Sequence, residues 1–224
     1  MSCQELQGIP FFAELPAPLL TELSAATRER RYEKDELIVI KGDRPTGMYA
    51  VLSGVVKLAC QSPAGEERVI DLVGRGEVFG VSTVLLGNAY PYLAAALSPT
   101  RLLHIDAEAV LTLSGRSAQF AKRLLVKLST RLYARMRDLE DFRLHPPVKR
   151  LASYLLNAGA TSCGNGTVIS FCAPKHIIAS RLGMTPEALS RCLRELSDSG
   201  AISVGTDHVR VLDAGQLRGM SERR

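Results

Sequence analysis

Tryptophan is absent from the 224 residues, aromatic side chains make up 5 % of them, and cysteine occurs five times. Cys3, Cys60, Cys163, Cys172 and Cys192 are scattered, odd in number and without CxxC spacing. That usage argues against both a disulfide framework and a cysteine-rich zinc site, and it suits a cytoplasmic protein. No apolar run approaches the roughly 20 residues needed to cross a bilayer, so no membrane partner is expected. Met1–Phe12 lacks the basic flank and long apolar stretch of a signal peptide. No P-loop, metal-ligand pair or nucleophile–base arrangement stands out, so an enzyme is not expected.

The chain is long enough for two domains, and with 46 % apolar residues it can bury a core in each. Its net charge of +5 is unevenly spread. Residues 1–115 carry 10 Lys/Arg against 14 Asp/Glu, residues 116–145 carry 8 against 3, and residues 146–224 carry 10 against 6. An acidic front and a basic rear suit a chain whose rear meets a polyanion. For residues 116–145 taken alone, a solvated basic helix face explains the excess equally well.

Three styles of sequence follow one another. Residues 6–27 read as short helical pieces broken by Pro10, Pro16 and Pro18. From Arg31 to about Ile105 come short β-rich runs: Leu37–Ile40, Met48–Leu52, Val55–Ala59, Arg68–Leu72 and Arg101–Ile105. Turns at Gly42, Gly54, Pro63–Gly65, Gly74, Gly76 and Pro99 separate them, which predicts an antiparallel β-barrel of the jelly-roll (double-stranded β-helix) kind. From Ser117 to about Arg143 there is neither Gly nor Pro, and Leu125, Leu128, Leu132, Met136 and Leu139 recur at spacings of three and four. Such a narrow stripe, on a helix of about 27 residues and roughly 40 Å, suits pairing between two chains. Packing of the stripe on the chain's own barrel is the plainer alternative.

His145–Pro146–Pro147 ends that helix. An amphipathic helix, Val148–Ala158, then restarts the chain, followed by a loop at Gly159–Gly166 and a short strand at Thr167–Cys172. The expected class is α+β, with a sensing β-barrel at 1–115, a dimerisation helix at 116–145 and a winged helix-turn-helix at 146–224.

That last assignment rests on His176–Gly200. Pro174–Ala179 opens a short helix, and Gly183 interrupts it where a tight turn needs positive φ. Thr185 is a good N-cap, with Pro186 at the first helical position and Glu187 in the first turn. Leu189, Cys192, Leu193 and Leu196 then fall on one side, leaving Glu187, Ser190, Arg191 and Arg194 opposite. Ala201–Val204 and His208–Leu212 around Gly205–Thr206–Asp207 make a hairpin wing. The exposed types match base edges. Arg191 can bond guanine O6 and N7 together, Glu187 can accept from cytosine N4, and Ser190 can meet thymine or a phosphate. Thr185, Arg194 and His176 complete the candidate DNA face. A small helical hairpin with a charged outer face would share the two helices but not the capped turn and wing. The periodicity also puts Cys192 on the packed side, where a thiol is usually inert.

Val51-Leu52-Ser53-Gly54-Val55-Val56-Lys57 resembles the L-x-S-G-x-V-K turn of the CRP/FNR family of bacterial transcription regulators. Gly65-Glu66-Glu67 with Gly76-Glu77-Val78-Phe79-Gly80 resembles that family's barrel signature, and LGMTPEALSR at Leu182–Arg191 resembles its recognition helix. The resemblance covers nearly the whole chain. Glu187, Ser190 and Arg191 follow the FNR branch, where the CRP branch has Gly in place of Ser. The resemblance implies a homodimer on a palindromic TTGAT…ATCAA-like site, a signal at the barrel that shifts the long helices, and RNA polymerase as a further partner.

The same resemblance says what the barrel lacks. Cyclic-nucleotide-binding members carry a Glu after the F-G and an Arg–Ser pair some way on, because the cyclic phosphate needs a cation. Here Phe79-Gly80 is followed by Val81, and no basic residue lies between Arg75 and Arg101. Cyclic AMP is therefore not expected. With only Cys3 near the N-terminus, the four thiolates of an iron–sulfur cluster cannot be assembled. The branch without either device includes the DNR-like regulators, which sense nitric oxide with haem, and Lys127–Leu132 looks like their dimer helix. His104, His145 or a cysteine would be the axial ligand, with His176 and His208 poorer candidates. Phe79, Val84, Leu85, Tyr90 and Tyr92, with Leu86 and Leu93, would line an apolar effector pocket, or simply form the barrel core. A constitutive member, or one controlled by protein contact, is the alternative.

Overall fold

The computed structural model describes residues 3–62, 65, 67–157, 161–162, 167–206 and 208–222. Glu66, Cys163, Asp207 and most of the expected loop at 159–166 lie outside the described residues. The chain forms two compact units, Met1–Ala134 and Arg135–Arg224.

The first unit opens with α1 (Cys3–Gln7) and α2 (Ala17–Ala25). Strands β1 (Thr27–Tyr32), β2 (Leu37–Val39), β3 (Gly47–Ser53), β4 (Val56–Gln61), β5 (Glu67–Val73) and β6 (Val78–Phe79) follow. Helix α3 (Val81–Leu86), β7 (Leu93–Ala96), β8 (Thr100–Asp106), α4 (Ala107–Arg116) and the start of α5 (Ala118–Leu144) complete it. Two antiparallel four-stranded sheets, ordered β1-β8-β3-β6 and β2-β7-β4-β5, make the barrel.

Strand alternation divides the interior in two. Tyr49, Val51 and Leu102 point inward and meet Val39, Val56, Leu58, Val73, Phe79 and Ala94 from both sheets, with Tyr90 and Tyr92 from the segment before β7. Met48, Ala50, Leu103 and Ile105 point the other way and are covered by Leu6, Leu20, Leu23, Val110, Leu113, Phe120 and Leu124 of the helices. Each fully buried Val, Leu, Ile, Phe or Met among them contributes about 1.5–3 kcal/mol.

Several elements differ from the sequence expectation. The first strand starts at Thr27 rather than Arg31, because Thr27–Tyr32 pairs along β8 from Ile105 to Thr100. TRERRY has too few apolar residues to announce itself as a strand. Helices α3 and α4 were not expected either. The latter is started by Asp106, whose carboxylate accepts from the Glu108 backbone N–H at 2.9 Å.

The second unit holds the end of α5, then α6 (Pro147–Asn157), β9 (Thr161–Ser162), β10 (Thr167–Ser170), α7 (Lys175–Arg181) and α8 (Pro186–Asp198). It ends with β11 (Ile202–Val204), β12 (His208–Val211) and α9 (Ala214–Glu222), a helix the sequence pattern does not announce. The sheet order is β11-β12-β10-β9, so part of the expected 159–166 loop is an edge strand. Leu151, Leu155, Ile178, Leu189, Leu193, Leu196, Val209 and Leu217 are all buried here. No helix among the described residues is long and apolar enough to cross a membrane.

Candidate DNA interface and sensor barrel

Helices α7 and α8 are joined by a turn whose geometry follows from one residue. Gly183 has φ +62°. It lets the Met184 N–H reach Ala179 O at 3.0 Å and its own N–H reach Ser180 O at 3.1 Å. This paired closure is the Schellman arrangement, which satisfies carbonyls that the end of α7 would otherwise leave unbonded. A Cβ at Gly183 would lie 2.7 Å from Cε1 of Phe142. Gly183→Ala is therefore expected to destabilise the second unit by about 2–4 kcal/mol, from left-handed backbone strain plus overlap. A calorimetric Tm indistinguishable from the parent protein would contradict it.

Thr185 then caps α8 in extended conformation (φ −78°, ψ 159°), its Oγ1 accepting from the Ala188 N–H at 3.2 Å. Leu189, Cys192, Leu193 and Leu196 are buried, whereas Thr185, Glu187, Ser190, Arg191 and Arg194 are exposed on the opposite side. The Glu187 carboxyl is held below its usual range by its own backbone N–H and the Thr185 hydroxyl, with help from the Arg191 charge. Ser190 donates its hydroxyl to Pro186 O at 3.0 Å, so its oxygen faces out as an acceptor. His176 stands exposed on the first turn of α7. Burial pushes the Cys192 thiol up, away from the reactive thiolate. Beside α8, β11 and β12 pair in antiparallel register, Ile202 with Val211 and Val204 with Val209.

The long helix α5 has two apolar faces, not one stripe. Phe120 and Leu124 are buried, and Leu128 is partly buried against the same core. Leu125, Leu132, Met136 and Leu139 are 59–64 % exposed, as are Val126 and Tyr133 to a similar degree. Leu128 thus leaves the expected seam for the barrel side. Between Leu125 and Leu132 the exposed face carries Ser129 instead.

The basic residues of this helix are largely matched within the chain. Arg123 pairs with Glu14 and Lys127 lies 3.8 Å from Glu77, while Arg116, at the end of α4, pairs with Glu22. Arg131 bonds Asp71 at 2.7 Å and reaches Val78 O at 3.4 Å. The charge split read from the sequence is therefore partly internal: the basic helix answers the acidic barrel. The sequence offered no sign of these pairings, because partners 50 or more residues apart carry no periodic signal.

The five residues proposed for an effector pocket do not share one lining. Phe79, Tyr90 and Tyr92 belong to the barrel interior, whereas Val84 packs in the helical core and Leu85 lies against it. Inside, Tyr49 stacks on Phe79 at 4.9 Å, Tyr90 meets Tyr92 at 5.7 Å, and Tyr90 donates its hydroxyl to Gly47 O at 3.1 Å. Gly80, at φ +81°, lets α3 start next to Tyr90. Burial holds the Tyr49, Tyr90 and Tyr92 hydroxyls above their usual range.

His104 sits beside Tyr49 with its Nε2 3.0 Å from Thr46 Oγ1, and His145 Nδ1 lies 2.7 Å from Asp141 Oδ1. Burial, then the Arg30 charge, lowers the His104 pKa. The His104 Nε2 is taken up by Thr46, and the barrel interior is occupied by its own aromatic rings. Among the described residues no group of three His, Cys, Asp or Glu could hold a metal ion.

A barrel of two antiparallel sheets, followed by a long helix and a winged helix-turn-helix, defines a DNA-binding regulator with a sensor-type domain. Residues 29–117 match the cyclic nucleotide-binding domain family, and residues 149–220 match the Crp-like helix-turn-helix domain. The chain is 30 % identical to the cyclic AMP receptor protein of Thermus thermophilus over 95 % of its length and 96 % of that protein's. It is 29 % identical to the global nitrogen regulator of Nostoc sp., covering 80 % and 83 % of the two chains. The solved structure of FixK2 from Bradyrhizobium japonicum superposes with a TM-score of 0.80 at 20 % identity, over 88 % of this chain and 98 % of that one, which shows the shared fold. The chain belongs to the CRP/FNR family of transcription regulators, whose members are not enzymes.

Proposed function

We propose that this regulator acts as a homodimer that reads a palindromic TTGAT…ATCAA-like site, one recognition helix per half-site. The observation that carries it is α8 itself, which buries its four apolar residues and turns Glu187, Ser190, Arg191 and Arg194 out together. Arg191 would bond guanine and Glu187 would accept from cytosine N4. Ser190 would contribute an acceptor, and Thr185, Arg194 and His176 would lie along the backbone. Leu125, Leu132, Met136 and Leu139 would form the dimer seam, and RNA polymerase would be the further partner. The division of labour follows the sequence: sensing by 1–115, pairing by 116–145, DNA reading by 146–224.

A palindromic duplex and a scrambled one, titrated at two salt concentrations, test this reading. The palindrome is expected to bind about 10³-fold or more tightly, with affinity for both falling steeply as salt rises. Equal affinity for the two duplexes would overturn it.

Control at the barrel is proposed to act through α5, which Arg131 ties to Asp71 and the Val78 carbonyl. With no cation between Arg75 and Arg101, cyclic AMP is expected to leave the palindrome affinity unchanged. Haem and nitric oxide rest on the family resemblance alone, and the packed interior favours a regulator that works without haem. Mixing the purified protein with haem should produce no shifted Soret band. A shifted band that responds to nitric oxide would reinstate that reading.

A further inference from the structure

Within the second unit, three side chains converge on the turn that precedes the recognition helix. Asp138 and Phe142 lie four residues apart, on one face of the last turns of α5. The Asp138 carboxylate accepts from Arg181 Nη2 at 2.9 Å and from Arg135 Nη1 at 2.8 Å. Arg181 is the last residue of α7, and its side chain is 17 % exposed. Phe142 places its ring edge against Gly183, where a Cβ would come within 2.7 Å. Arg150 of α6 lies over that ring, 5.4 Å from its centre, with Nη2 3.5 Å from Gly183 O. Its Nε is buried without a hydrogen-bond partner, so burial lowers the Arg150 pKa and the ring face is its compensating contact.

We propose that Asp138, Phe142 and Arg150 are positioning residues for DNA recognition. They fix the direction in which α8 leaves the end of α5, and hence the separation of the two recognition helices in the dimer. The residues on each side argue for this. Arg181 and Gly183 flank the turn that aims α8; the first is largely buried against Asp138, and the second carries no side chain that could reach a base. An ion pair constrains one point of the turn and an aromatic ring constrains a second. Two points on a rigid helix leave α8 little freedom to pivot about Pro146–Pro147. A regulator that must match two half-sites at one spacing needs this stiffness, because each degree of pivot would blur the spacing it accepts.

The inference rests on the dimeric DNA-reading proposal, so its test has two readouts. In the full-length free protein, Phe142→Ala and Asp138→Arg should raise hydrogen exchange of the backbone amides of 178–184 about tenfold. Asp138→Arg combined with Arg181→Asp, and Phe142→Tyr, should restore it. On DNA, a palindrome series with the half-sites moved apart or together by one and two base pairs should show a sharp optimum for the parent protein. Phe142→Ala and Asp138→Arg should flatten that optimum while single half-site affinity changes by less than about threefold, and the charge-swapped pair should recover it.

Unchanged exchange in both variants overturns the positioning role, whether or not DNA binds. So does a loss of single half-site affinity as large as the loss on the palindrome, since the contacts would then only hold the domain folded. A parent protein that exchanges as described but shows no preference for the palindrome would leave the contacts standing and overturn the DNA site.

Discussion

Arg191→Ala is expected to erase the preference for the palindrome over a scrambled duplex while leaving the salt-dependent background binding in place. The guanidinium is exposed in the middle of the outward face of α8, one turn after Glu187. A two-pronged bond to one guanine is worth about 1–3 kcal/mol of discrimination, and a dimer makes it twice. The combined loss is about 2–6 kcal/mol, roughly 30-fold to more than 10⁴-fold in specificity. Arg191→Lys keeps the charge and loses the fork, so it should fall close to Ala on the palindrome. Because the residue meets a base and not a phosphate, the slope of affinity against salt should change by less than about one ion per half-site. Mobility shifts on matched and scrambled duplexes over a salt series decide the matter. Equal losses on both duplexes would make Arg191 a phosphate contact.

Leu132→Glu is the second large effect. Leu132 is 64 % exposed in the single chain, so the substitution should leave the fold of each chain intact and lower Tm only through loss of the partner. In a paired helix the same position would meet its own copy or the neighbouring Met136, 60 % exposed in the single chain. Two glutamates would then be pressed into an apolar seam that gains about 1.5–3 kcal/mol for each large side chain it buries. Light scattering should report monomers. Palindrome affinity should fall by about 10²–10⁴-fold as the second half-site loses its tether, while single half-site affinity persists. Leu128→Ala is the control with the opposite pattern. It faces the chain's own core and should lower Tm before it affects association. A dimeric Leu132→Glu protein would place the interface elsewhere.

The two predictions separate what an amphipathic helix reveals from what it hides. In α8 the pattern of 3.6 residues per turn assigns every exposed and buried position, since one face has a core and the other has none. In α5 the same periodicity was ambiguous. The helix has a core on one side and an unpartnered apolar face on the other. Leu128 belongs to the first and Leu125 to the second, although three residues separate them.

Local chemistry was legible throughout the recognition element. Thr185, Pro186 and Gly183 announce a capped helix after a left-handed turn, and the structure builds both. The β-rich runs announced a barrel for the same reason, strand alternation being a local property. Polar strand β1 and the short helices α3 and α4 escaped, because their residues are held by neighbours and not by their own pattern.

Order along the chain, the family motifs and the outward face of α8 were thus present in the sequence, written in spacings of two to four residues. The tertiary structure alone decided that Arg131 meets Asp71, that Val84 and Leu85 leave the aromatic interior, and that Phe142 closes on Gly183. Each of those contacts joins residues 41 or more positions apart, except for Val84 and Leu85, where a helix turns them toward the other core. Periodicity reports which face of an element is buried. It carries no information about which distant side chain buries it, and that choice is made only when the elements pack.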